Sequence, residues 1–77
     1  MYGLEGPAHV AFMTMGHHPH LQTARAISNG PFAPDEIGPS EIQDGLNDLE
    51  RQGLAGEHRR CWHLTEAGRE RFERVPA

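Results

Sequence analysis

The stretch from Ser40 to Arg74 constrains this chain more than any other. Ile42, Leu46 and Leu49 recur at i, i+4 and i+7, the spacing that gathers apolar side chains on one face of a helix. Ser40 with Gln43 three residues on reads as a capping box, and Glu41 suits the positive end of the helix dipole. Gly53 supplies the stop. Gly45 lies on the apolar face, where glycine costs about 1 kcal/mol relative to alanine; that cost predicts close approach of a neighbouring helix, a tight helix-turn-helix crossing. Residues 54–55 and 60–64 pair as a short hairpin around Gly56-Glu57-His58-Arg59, with Trp62 and Leu64 on the core face and Cys61 and His63 on the other. Thr65 caps a closing helix to about Arg74, with Ala67 and Phe72 inward and Arg69, Glu70, Arg71, Glu73 and Arg74 solvated.

The first half supplies two more helices. Pro7 suits a first helical position, and the segment to Gly16 places Ala8, Phe12 and Met15 on one face with Val10 and Met13 beside it. Gly16 and Pro19 end that helix. A second helix over residues 20–28 buries Leu21, Ala24 and Ile27, and Asn29-Gly30-Pro31 stops it. Pro34 and Pro39 limit the next segment to a turn, from which Phe32 and Ile37 plug the core. The expected fold class is mainly α with a small β-hairpin: three helices, a two-stranded wing and a short C-terminal helix. Residues 1–6 read as an arm, 7–74 as one domain and 75–77 as a tail.

With 77 residues the chain is one small domain, and a domain of this size buries only about 60% of its unfolded surface. No apolar run reaches the roughly 18 residues of a membrane span, and the start lacks the basic-then-apolar pattern of a signal peptide. The single Cys61 rules out an internal disulfide, which fits a reducing cytoplasm. Net charge is −4, and all seven basic residues are arginine. Residues 35–50 hold six carboxylates and no cation, whereas residues 51–77 hold six arginines against four glutamates. The basic footprint expected of a nucleic-acid binder is therefore confined to the last third.

Leu46-x-x-Leu49-Glu50-x-x-Gly53-Leu54 followed by Arg59-Arg60-x-Trp62-x-Leu64-Thr65-Glu66-Ala67-Gly68-Arg69 resembles the winged-helix domains of PadR-type and MarR-type transcriptional regulators. The resemblance covers residues 42–69 well and 21–74 loosely, and the spacing from Ile27 to Gln43 is closer to the PadR-like arrangement. It implies a transcriptional regulator that reads double-stranded DNA with helix 40–52. Ser40, Gln43 and Asn47 carry donors and acceptors for base edges, and Arg51 points outward with them. Arg59 and Arg60, assisted by His58, would meet phosphates or the minor groove from the hairpin tip. The family's long dimerising helix is absent. A homodimer is still expected, because regulator sites are commonly two-fold, with Phe12, Met13 and Met15 of the first helix and Phe72 of the last as candidate interfaces.

Charge supports a second reading. Glu41, Asp44 and Asp48 put three carboxylates on the face that would meet a polyanion, so a protein-interaction module presenting an acidic helix to a basic partner is the alternative. His17-His18-x-His20 and His58-x-x-Cys61-x-His63 have donors for a metal or a pH sensor, but with one cysteine and no paired Cys-x-x-Cys they read as a solvent-facing histidine cluster and an exposed strand face. Cys61 lacks a resolving partner for redox chemistry, Met13 and Met15 read as core fillers, and Trp62 as packing. No phosphate loop, nucleophilic triad or ligand framework is present, and a chain this short has little room for a pocket of about 300 Å³. No enzyme activity and no cofactor are expected.

Overall fold

A computed structural model of the chain describes residues 6–74. They run α1 (Gly6–His17), α2 (Ala24–Ser28), α3 (Pro39–Arg51), β1 (Ala55–His58), β2 (Cys61–Leu64) and α4 (Glu66–Glu73). The structure is mainly helical with a two-stranded antiparallel hairpin and a closing helix. The sequence's short arm, apart from Gly6, and the tail at 75–77 lie outside the described residues.

Helix α1 is the hub. Ala8, Val10, Ala11, Phe12, Thr14 and Met15 are all buried, so this helix is apolar on most of its circumference, and it packs on α2, α3, β2 and α4. Its heaviest contact is with α3, whose Ile42, Leu46 and Leu49 are fully buried. The close approach at Gly45 is real, but its partner is the first turn of α1. A Cβ there would stand 2.6 Å from the Ala8 nitrogen and from the Pro7 carbonyl carbon. Their burial also removes Phe12 and Met15 from the candidate dimer interface; Met13 is only half-buried.

The third helix begins earlier than Ser40. Gly38 is its N-cap and Pro39 occupies the first turn, where a missing N–H costs nothing. Glu41 is the third helical residue, and its Oε2 accepts from the Gly38 N–H at 2.6 Å. Glycine has no side chain to return the bond, so this is half of a capping box, and Ser40 and Gln43 take no part in it. At the other end Gly53 takes φ +75°. The Gly53 N–H donates to the Glu50 carbonyl (3.0 Å) and the Leu54 N–H to the Leu49 carbonyl (2.9 Å). That is a Schellman ending, with Leu49 and Leu54 both in the core.

Tertiary contacts shorten α2. It starts at Ala24 rather than at residue 20, capped by Thr23, whose Oγ1 accepts from the Ala26 N–H at 3.1 Å. The preceding Gln22 carbonyl instead accepts from the Trp62 N–H at 2.7 Å, on the edge of β2 that faces away from β1. A residue bonded to a strand edge is not available to a helix. Phe32 does not plug the core: it is 39% exposed and stacks on His17, with ring centroids 5.2 Å apart, while Ile37 is half-buried against the core. In α4 Phe72 packs inward as expected, but Gly68 rather than Ala67 is the other inward residue. A Cβ on Gly68 would stand 2.0 Å from the Leu54 carbonyl oxygen, whereas Ala67 is exposed. Among the described residues, no helix is long and apolar enough to cross a membrane.

Candidate nucleic-acid interface

Two elements carry the expected contact residues. On α3, Ser40, Asn47 and Arg51 are exposed and Gln43 is half-buried. Three of the four have partners on the same helix. The Gln43 Nε2 donates to Asn47 Oδ1 at 3.1 Å, one turn along the helix. Arg51 is ion-paired with Asp48 through Nη2 and Oδ1. Such an exposed pair is worth at most about 1 kcal/mol, so it can exchange for another partner. Of the three carboxylates opposing a polyanion, Glu41 is turned back on Gly38 and Asp48 is neutralised by Arg51. Asp44 stays exposed, as does Glu50 beside this face, and neither has an ion pair among the described residues.

The hairpin is different. Its register pairs Ala55 with Leu64, Gly56 with His63, Glu57 with Trp62 and His58 with Cys61. The turn is therefore the two residues Arg59 and Arg60, and it starts three positions later than the Gly56 start read from the sequence. The pairing follows from Thr65, whose N–H donates to the Leu54 carbonyl at 3.0 Å and closes the base of the ladder. Ala55, Trp62 and Leu64 face the core, and everything from Glu57 to Arg60 stands in solvent. The closing helix is anchored at the same base. Thr65 Oγ1 donates to the Gly53 carbonyl (2.6 Å) and accepts from the Gly68 N–H (3.0 Å), joining the end of α3 to the start of α4.

Arg59 has φ 53° and Arg60 has φ 68°. A two-residue turn with both central φ values positive is the tight hairpin geometry that asparagine and glycine favour. A residue with a Cβ costs roughly 1–2 kcal/mol in that region. Two adjacent arginines hold it here, with neither guanidinium ion-paired among the described residues. The tip thus carries two uncompensated cations on a strained backbone, with exposed His58 preceding them and exposed Glu57 opposing them.

The remaining candidates separate. The pleat places His58, Cys61 and His63 on one hairpin face, but the His63 ring leans across Gly56, its Nε2 3.7 Å from where a Cβ would stand. His17 is sandwiched between Phe32 and Phe72, and His18 lies edge-on to His20 at 5.8 Å. No three of the described histidine, cysteine, aspartate or glutamate side chains gather as metal ligands. Cys61 is a half-buried free thiol and Trp62 is core, 3% exposed.

Sequence reasoning missed one feature. A groove of about 350 Å³ opens between the end of α1, the 19–22 connection, β2 and α4, where a chain this short was expected to have little room for one. It forms where Gly16 stands in the last turn of α1. Phe72 lies against that glycine, its ring 2.1 Å from where a Cβ would stand, and the backbone beyond must detour to reach α2. No signal short of that helix-to-helix contact would have revealed it. No protein-family model, curated protein or solved structure matches this chain.

Proposed function

We propose that this chain is a small winged-helix DNA-binding protein that acts in transcription regulation, with most of its duplex contact made by the hairpin. One observation carries the reading: Arg59 and Arg60 occupy left-handed positions that disfavour them, and both point unpaired cations into solvent. Backbone strain kept at an exposed tip is commonly kept for contact. Arginine is the residue suited to phosphate and to a narrow minor groove. Helix α3 then contributes position more than sequence reading, because Gln43, Asn47 and Arg51 have partners of their own to give up first. A homodimer would have to use surface other than Phe12 and Met15, and sedimentation at high concentration tests for it.

The test is duplex binding by fluorescence anisotropy at several salt concentrations, using the DNA upstream of the chain's own coding sequence and an unrelated duplex. Arg59→Ala and Arg60→Ala should weaken both complexes alike and flatten the salt slope by about one unit each. Asn47→Ala should alter the preference between the two duplexes.

A second reading is favoured by the exposed carboxylates of Asp44 and Glu50: a protein-interaction module in which α3 meets a basic partner. On that reading no duplex binds even at low salt.

A further inference from the structure

The groove is independent of the hairpin tip. Met15 and Trp62 form its floor, the ring of Phe72 one wall, and Gln22 the facing edge. Phe72 is held edge-on to Phe12 at 5.8 Å and to His17 at 4.9 Å, so the wall is fixed before anything enters. The volume of about 350 Å³ falls at the lower end of small-ligand sites, roughly 300–1,000 Å³. Arg69 and Glu73 of α4 stand along its rim, both exposed.

These two charges are one helical turn apart, yet they form no ion pair with each other or with any described residue. The order explains part of this, since a cation preceding its anion at i, i+4 is the less favourable arrangement on a helix. Their Cβ atoms nonetheless lie about 5–6 Å apart, as any such pair does. The rim thus offers one positive and one negative group, a short distance apart, above an apolar and aromatic floor. We infer that the groove binds a free α-amino acid with an apolar side chain. Its carboxylate meets Arg69, its ammonium meets Glu73, and its side chain lies against Trp62 and Phe72. A simple organic acid would leave Glu73 unmatched at the rim, and a simple amine would leave Arg69 unmatched. A peptide end carries only one of the two charges.

Trp62 is the single tryptophan of the chain, which makes its emission a direct report on the floor. The experiment titrates the full chain with L-phenylalanine and L-leucine, then with 3-phenylpropionate, which lacks the ammonium, and phenethylamine, which lacks the carboxylate. Expected is a saturable change in emission with the amino acids, at least tenfold weaker with either truncated compound. Arg69→Gln and Glu73→Gln, both at exposed positions and checked for native circular dichroism, should each weaken L-phenylalanine at least tenfold. Absence of saturation with either amino acid up to millimolar concentration overturns the inference. So does 3-phenylpropionate binding as tightly as phenylalanine, or a Glu73→Gln chain that binds unchanged. None of these readouts involves DNA, so the outcome is separable from the fate of the DNA-binding proposal.

Discussion

At the scale of single residues, the hairpin tip sets conformational preference against charge. Arg59 and Arg60 hold positive φ values that asparagine and glycine adopt more readily. Replacing them by Arg59→Asn with Arg60→Gly should therefore stabilise the fold by about 1–2 kcal/mol in urea denaturation while weakening duplex binding. An unchanged midpoint would show that the turn is not strained. Gly68 poses the opposite case. A methyl group there would collide with the Leu54 carbonyl oxygen, a backbone atom tied to Thr65 and unable to move alone. Gly68→Ala should cost about 1–3 kcal/mol by the same measurement, despite the better helix propensity of alanine. Thr14 is a further residue whose chemistry and place disagree, since its Oγ1 is buried with no hydrogen-bond partner among the described residues.

At the scale of elements, the junction of α3, the hairpin and α4 depends on Thr65. Its hydroxyl serves as the N-cap of α4 and at the same time donates to the carbonyl of Gly53, just past α3. Thr65→Ala should destabilise by about 1–2 kcal/mol, whereas Thr65→Ser, which keeps the oxygen, should cost only a few tenths. Thermal unfolding of the two variants measures the difference. If alanine and serine behave alike, the hydroxyl is not what holds the junction. Much of this element was legible in the sequence, because the cap, the Gly53 stop and the Trp62/Leu64 alternation are local signals. The start of α2 was not. Thr23 is a good cap read by itself, but what leaves Gln22 outside the helix is its carbonyl's bond to Trp62, forty residues away in the chain.

At the scale of the whole molecule, stability and net charge set the limits. A domain of 77 residues has roughly 4–12 kcal/mol of stability at ordinary per-residue values. Leu46 is fully buried between the helices, and Leu46→Ala should cost about 2–5 kcal/mol, read as a lower urea midpoint followed by circular dichroism. The net charge of −4 opposes association with a polyanion. If the two tip arginines make the contact, the logarithmic salt slope of duplex binding should be about −2 and no steeper. A much steeper slope would place the contact on a different surface.

The sequence by itself determined the order of the helices and hairpin and the apolar faces of α1, α3 and β2. Ile42, Leu46, Leu49, Phe12 and Ile27 announce burial through spacing, and Gly53 and Thr65 mark ends through backbone chemistry that acts within a few residues. Only the tertiary structure decided what depends on meetings between distant segments. The Ala55–Leu64 register moved the turn of the Ser40-to-Arg74 stretch onto Arg59 and Arg60. The Leu54 carbonyl selected Gly68 over Ala67 as an inward residue of α4. The contact of Phe72 with Gly16 opened a groove that no local pattern encodes. Periodicity says which side chains leave water; it carries no information on which backbone atom waits on the other side.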